Sequence, residues 1–109
     1  MIKIYNKLVR DRIPEIIESS GAKCTTEILS DKKYLEMLDM KLDEELAEYR
    51  KDQTIEELAD LLEIIYAVVI ARGYTLDELE AIRLAKASER GGFDKKILLI
   101  DTIESTKDF

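Results

Sequence analysis

The stretch from Thr54 to Ala71 reads TIEELADLLEIIYAVVIA and decides how this chain folds. It opens with Thr54 followed three residues later by Glu57, the pattern of a capping box at a helix N-terminus. Gly73, just beyond the stretch, is typical of a helix end. Apolar side chains fall on nearly every side of this helix, more than one small bundle can cover. The stretch therefore predicts a buried helix in a homo-oligomer, at least a dimer.

Three further helices are predicted from apolar periodicity and from start and stop residues. They are residues 15–20 after Pro14, a long helix from Ser30 or Asp31 to about Lys51, and a helix from the Thr75–Glu78 capping pattern to Gly91-Gly92. Two short segments, Lys23–Leu29 and Lys96–Asp101, have strand-like composition and are candidates for a small ribbon. The predicted fold class is all-α, a four-helix bundle with at most a short β ribbon, in one domain covering residues 1–109.

Three single residues outside the helices also receive structural predictions. Asp11 is expected to cap the short helix that contains Pro14. Cys24 is expected to be a small buried residue of its strand, and Phe93 is expected to close one end of the bundle.

Composition limits the chemistry that this chain can perform. Its 109 residues are 46% hydrophobic and 38% charged, with a formal net charge of −7, which argues against nonspecific binding to nucleic acid or to anionic membranes. Histidine is absent and Cys24 is the single cysteine, which excludes a Cys/His zinc site and a histidine-based triad. Neither a signal-like start nor an apolar run of membrane-spanning length is present, so a cytoplasmic location is expected.

Two acidic pairs form the candidate site, Glu45 with Glu48 on the long helix and Glu57 with Asp60 on the next. Residues three apart share a helix face, and both pairs border apolar stripes on neighbouring helices. Carboxylates gathered there repel one another unless a cation lies between them, and Mg²⁺ is the simplest such cation. A solvated acidic face is the alternative, since glutamate favours helices and complements the helix dipole near an N-terminus.

Basic residues form two sets that are candidate phosphate contacts in this acidic chain. One set recurs at spacings of three and four on the fourth predicted helix, and the other lies near the start; they are Arg83, Lys86 and Arg90, and Lys7 with Arg10. Any one of these side chains is more often a solvated surface group. As sets, they are candidate substrate-binding residues.

The two acidic pairs, in this order, resemble the ExxE…ExxD signature of the MazG-like all-α nucleoside triphosphate (NTP) pyrophosphohydrolases. The segments KLVRDRIP at residues 7–14 and KASERGGF at residues 86–93 are similar to the phosphoribosyl-ATP pyrophosphohydrolase-like branch of that superfamily. The resemblance covers nearly the whole chain. It implies a helical bundle assembled into homodimers or homotetramers, with Mg²⁺ held by Glu45, Glu48, Glu57 and Asp60.

The reaction implied by the resemblance is Mg²⁺-dependent hydrolysis of an NTP, canonical or noncanonical, to a monophosphate and pyrophosphate in a house-cleaning role. Glu48 is the first candidate to orient or deprotonate the attacking water, and Glu45 is the second. Two alternatives are phosphoribosyl-ATP as the substrate and a non-catalytic nucleotide-binding oligomerisation module. The connection between the acidic pairs, residues 49–56, is shorter than in many members of the superfamily, which bears on substrate preference.

Overall fold

Four helices make up the regular structure of the protein in a computed structural model that describes residues 1–103. They are α1 (Ile13–Ser19), α2 (Asp31–Asp52), α3 (Ile55–Ala71) and α4 (Leu76–Arg90). The predicted mainly α, four-helix fold is confirmed. Among the described residues, no helix combines the length and apolar content that crossing a membrane requires.

Both predicted strands are wrong. The backbone of residues 23–29 and 96–101 is irregular, and no strand is present in the part of the chain that the structure describes. The β propensity of such segments reflects packing on a half-buried pleated surface, and this chain offers them neither a partner strand nor a covering layer.

Side-chain caps start the three longer helices where the sequence indicates. The hydroxyl of Ser30 accepts a hydrogen bond from the backbone N–H of Lys33 at 3.2 Å. Thr75 and Glu78 make both hydrogen bonds of a capping box, with the Thr75 hydroxyl accepting from Glu78 N at 3.1 Å. Helix α3 ends at Ala71, before the predicted stop at Gly73. Local start and stop residues therefore set the helix bounds within a residue or two.

Three single-residue predictions fail, each for a local reason. Asp11 does not cap α1, because the N-cap position is Arg12, whose side chain makes no capping hydrogen bond; Pro14 starts the helix through its fixed φ angle. Phe93 is 98% exposed, so it closes no bundle end. Cys24 is only half-buried and lies outside any strand, with its thiol 4.0 Å from the carbonyl oxygen of Pro14.

Helices α2 and α3 form an antiparallel hairpin joined by only Gln53 and Thr54. Gln53 closes α2 in the left-handed region, at φ 55°, while its N–H donates to the carbonyl oxygen of Tyr49 at 2.7 Å. At the far end of the hairpin, Arg72 of the α3 C-cap lies 3.4 Å from a carboxylate oxygen of Asp39. Helix α4 packs on α3 but not on α2, and α1 packs on none of the other described helices.

A single chain leaves most of its apolar surface uncovered. Leu38 is the only fully buried hydrophobic residue in the described part of the chain, at 2% exposure. The radius of gyration is 19.1 Å, whereas a compact chain of this length has one of about 13 Å. The accessible surface is 10284 Å², whereas a compact monomer of this mass exposes about 6,200 Å². The apolar helix α3 is therefore only partly covered within one protomer.

Substitution Gln53→Gly is expected to stabilise the protein, because glycine adopts the left-handed conformation without the steric cost that glutamine pays there. The free energy of unfolding should rise by about 0.5–1 kcal/mol in urea titrations. Lys51→Gly, two residues earlier in the helical part of the same turn, is the matched control and should lower it by about 1 kcal/mol. Equal destabilisation by both glycines would contradict the left-handed turn.

Candidate acidic metal site

The turn between α2 and α3 places carboxylates from both helices opposite one another. Glu45, Glu48 and Asp52 recur at spacings of three and four on the last turns of α2, and Glu57 and Asp60 lie three apart on the first turns of α3. Because the connection is only two residues long, the end of α2 and the start of α3 must lie side by side. These five residues are called the acidic cluster below.

The acidic cluster consists of two overlapping groups. One carboxylate oxygen from each of Glu45, Glu57 and Asp60 lies within 4.8 Å of the other two, and all three residues are half-buried. A second group, with the same spacing limit, contains Glu48, Asp52 and Glu57 and is more exposed. Glu57 belongs to both groups and is therefore the centre of the cluster.

All four sequence-predicted ligands lie in the acidic cluster, but they do not form one group of four. Glu48 does not join Glu45 and Asp60 directly; it meets the cluster through Glu57 and through Asp52. Sequence reasoning missed Asp52, although its place four residues after Glu48 puts both on the same helix face. The two groups offer carboxylate oxygens of the kind that Mg²⁺ or Ca²⁺ prefers.

Comparison of the two capping patterns shows why Glu57 is free to face the cluster. In α4 the carboxylate of Glu78 accepts a hydrogen bond from Thr75 N at 3.2 Å. In α3 the hydroxyl of Thr54 accepts from Glu57 N at 3.3 Å, but among the described contacts the Glu57 carboxylate does not return to Thr54 N. The Glu57 backbone is thus fixed by the cap, while its side chain is directed to the other acids.

The surroundings of Glu57 disfavour its ionised form. The pKa of Glu57 is raised, first by partial loss of hydration and then by the nearby negative charges of Asp52, Asp60, Glu48 and Glu45. Each of these causes disfavours the ionised carboxylate. A divalent cation at this position would reverse them, since it favours the ionised form.

Protein cations already border the cluster. A guanidinium nitrogen of Arg10 lies 2.8 Å from Asp60 Oδ1, and Lys7 Nζ lies 3.7 Å from Glu44 Oε1, one residue before Glu45. Arg10 therefore contacts a member of the acidic cluster, whereas Lys7 pairs with a residue next to it; their role as phosphate contacts stays a prediction. Sequence reasoning missed Lys41, whose Nζ lies 3.5 Å from Glu45 Oε1; its signal is the spacing of four residues on α2.

The basic stripe of α4 is placed differently. Arg83 is held by Glu80, with Arg83 Nε donating to Glu80 Oε2 at 3.0 Å, and this hydrogen bond lowers the pKa of Glu80. Lys86 and Arg90 are exposed. No described hydrogen bond or ion pair links the three basic residues of α4 to the acidic cluster. Within one chain, the structure brings the N-terminal cations to the acids but not these three.

Comparisons with known proteins leave the family open. A stretch of 48 residues is 54% identical to an uncharacterized protein of Mycolicibacterium smegmatis, covering 44% of this chain and 49% of that protein. The match thus spans about half the length of that relative. No protein-family model and no solved structure matches the chain. Fold and site define a mainly α protein with an acidic cluster at a helical hairpin, and its MazG-like membership stays a prediction.

Substitution Glu57→Gln is expected to stabilise the metal-free protein near neutral pH. A carboxyl whose pKa is raised on folding makes the folded state less stable as the pH rises from the ordinary glutamate pKa through the raised one. The variant should lose this part of the pH dependence. Its free energy of unfolding should match that of the parent protein in acid and exceed it fully above the raised pKa.

Urea unfolding at fixed protein concentration, across about pH 4 to 8, measures this effect. Glu56→Gln is the matched control, because it removes a charge from the same first turn of α3 at an exposed residue for which no such crowding exists. Identical pH profiles for the two variants would contradict the crowding of carboxylates around Glu57.

Proposed function

We propose that this chain is a Mg²⁺-dependent nucleoside triphosphate pyrophosphohydrolase that converts an NTP to a monophosphate and pyrophosphate. The observation that carries the proposal is the convergence of Glu45, Glu57 and Asp60 on facing helices, with carboxylate oxygens within 4.8 Å of one another. The resemblance of the acidic pairs to the ExxE…ExxD signature supports the same reading. A cytoplasmic location and a homodimeric state belong to the proposal.

The donor set fits a hard divalent cation. Glu45, Glu57 and Asp60 would hold Mg²⁺, and Glu48 and Asp52 would adjoin it, since all five offer carboxylate oxygens and no nitrogen or sulfur ligand. When bound, Mg²⁺ supplies charge neutralisation and polarisation of the phosphate oxygens. The crowding that raises the pKa of Glu57 supports the fit, because a cation relieves it.

Two acids are candidates to activate water, and their surroundings differ. Glu45 is half-buried, and one of its carboxylate oxygens lies 3.5 Å from Lys41 Nζ, an ion pair that helps to hold the side chain in place. Glu48 is exposed and makes no ion pair with a described residue, so it can orient a water at the open edge of the cluster and accept its proton. This contrast supports Glu48 as the base and Glu45 as a ligand.

Phosphate charge would be met by cations of the chain. Arg10, which contacts Asp60 of the cluster, and Lys7, which pairs with the neighbouring Glu44, would offer guanidinium and ammonium donors to phosphate oxygens. Lys86 and Arg90 remain candidates from the closing motif, and Arg83 would have to leave Glu80 to take part. Hydrolysis then breaks the α–β phosphoanhydride bond, and the oxygen of water ends on one of the two products.

Pyrophosphate release from a panel of canonical and modified NTPs, with Mg²⁺ or with EDTA, tests the proposal. Release should require the metal and fall by about 100-fold or more in Glu45→Gln and Asp60→Asn, which keep side-chain shape but lose ligand charge. Glu63→Gln, on the exposed side of α3, is the control and should retain activity.

Three results would overturn the proposal: no release from any NTP, metal-independent release, or release that both variants retain. If a folded protein binds Mg²⁺ and nucleotide without turning over any NTP, phosphoribosyl-ATP is the next substrate to try. Binding without turnover of either substrate would indicate a non-catalytic nucleotide-binding module. Thermal unfolding with and without Mg²⁺ reports the binding separately, since a ligand at 100 times its Kd adds about 2.7 kcal/mol.

Substitution Arg10→Gln separates a phosphate contact from a structural ion pair. The Arg10–Asp60 pair is exposed, so its loss should change the free energy of unfolding by less than about 1 kcal/mol. Loss of a phosphate contact should instead raise KM in steady-state kinetics, by about tenfold. Arg12→Gln is the control, because among residues 1–103 Arg12 pairs with Glu15 alone; an equal KM change in both variants would contradict the assignment.

A further inference from the structure

A short apolar segment after α4 has no cover in the protomer. Its four consecutive residues, Ile97–Ile100, are called the arm below, and their exposed fractions lie between 61% and 80%. Every side chain of the arm is apolar, so the arm offers apolar surface to whatever packs against it.

The backbone N–H and C=O groups of the arm also lack backbone hydrogen-bond partners among the described residues. Lys96 N donates to the carbonyl oxygen of Phe93 at 3.3 Å in a turn, and no further backbone hydrogen bond joins residues 97–103 to another described residue. Exposed apolar side chains together with free N–H and C=O groups make a segment that pairs readily with another surface.

A second uncovered apolar surface lies between α3 and α4. The groove there is lined mainly by Val69, Tyr74, Leu79 and Ile82. Tyr74 is 59% exposed and Ile82 is 58% exposed, so none of residues 1–103 fills the groove. Since arm and groove are both uncovered in the same protomer, the arm does not lie in its own groove.

We propose that the arm of one copy packs in the α3–α4 groove of a second copy, so that two reciprocal arms hold a homodimer. A second copy is the occupant that supplies both missing partners at once, through an isologous interface. Enough area is available for such an interface, since the whole chain, of which the arm and the groove are part, exposes about 4,000 Å² more than a compact monomer of its mass. Obligate dimers bury a total of about 2,000–5,000 Å², which the uncovered surfaces of two copies can supply.

Charge at the two surfaces is complementary. Lys95 and Lys96 immediately precede the arm, while Glu78, in the first turn of α4, lines the groove and Asp77 precedes it in the same turn. Two acidic chains of net charge −7 repel one another at long range. Placing the lysines of one copy near the acids of the other offsets part of that repulsion and favours one orientation of the arm.

Sedimentation equilibrium on three full-length variants tests the proposal. Leu99→Lys alters the arm and Ile82→Asp alters the groove, and each should weaken dimerisation by at least about tenfold. Met40→Asp is the control: it places a charge at an apolar residue of α2 that is 63% exposed, away from both surfaces, and should leave the dimer unchanged. Far-UV circular dichroism checks that helix content is retained.

Mixing the two interface variants distinguishes arm-in-groove packing from other dimers. A mixed pair has one intact arm–groove contact and one in which the lysine from Leu99→Lys meets the aspartate from Ile82→Asp, so dimerisation should recover to within about threefold of the parent protein. Dimers unaffected by Ile82→Asp, or mixtures that stay dissociated, would overturn the proposal. A monomeric parent protein would overturn it as well.

Hydrogen exchange on the unaltered protein covers the case in which the variants fail to fold. The amides of Ile97–Ile100 should exchange slowly in concentrated protein and faster on dilution, as those of a segment ordered by dimerisation do. Fast exchange at every concentration would contradict the proposal. These readouts need no nucleotide and no metal, so their outcome is independent of the proposed reaction.

Discussion

The structure depends on the two-residue connection between α2 and α3. Gln53 ends one helix in the left-handed region, and Thr54 caps the next through a 3.3 Å hydrogen bond to Glu57 N. So short a link forces the helices to run antiparallel and places the last turns of α2 beside the first turns of α3. The only fully buried side chain of the described residues, Leu38, lies on this hairpin, and so does the acidic cluster.

The hairpin brings several carboxylates together, and three of them, Glu45, Glu57 and Asp60, belong to half-buried residues. Glu57 is directed into the cluster because its carboxylate does not close the capping box, in contrast to Glu78 at the start of α4. The raised pKa of Glu57 means that its ionised form is disfavoured at this position. Lys41 and Arg10 offset part of the charge at the periphery but leave the centre without a protein cation. Crowded carboxylates of this kind occur at ligand sites and also in structural ion-pair networks.

One protomer also leaves much of its apolar surface exposed. A chain of 109 residues ordinarily buries a continuous core, yet here α4 rests on α3 alone and the arm touches nothing that covers it. The apolar sequence of α3 and the exposed groove between α3 and α4 both show that apolar surface on this side of the fold is uncovered by the described residues. The uncovered apolar surface lies at α3, α4 and the segment after α4, whereas the acidic cluster lies at the turn between α2 and α3, so the two features occupy different parts of the fold.

The sequence by itself determined the helices and the ligand types. Caps, glycine stops and apolar periodicity act over three or four residues, so the starts at Ser30, Thr54 and Thr75 could be placed without a structure. The same local spacing identified the acidic pairs. Capping of α1 by Asp11 failed because proline geometry set that start.

Only the tertiary structure decided which groups meet. The division of the acids into two groups around Glu57, the inclusion of Asp52 and the Arg10–Asp60 contact depend on the rotation and register of packed segments up to 50 residues apart. The strand-like composition of residues 96–101 likewise gave no strand, because a strand needs a partner and residues 1–103 offer none. Capping hydrogen bonds join residues three or four apart, so the sequence shows them directly. Contacts between helices depend on how distant side chains pack, and only the tertiary structure shows that.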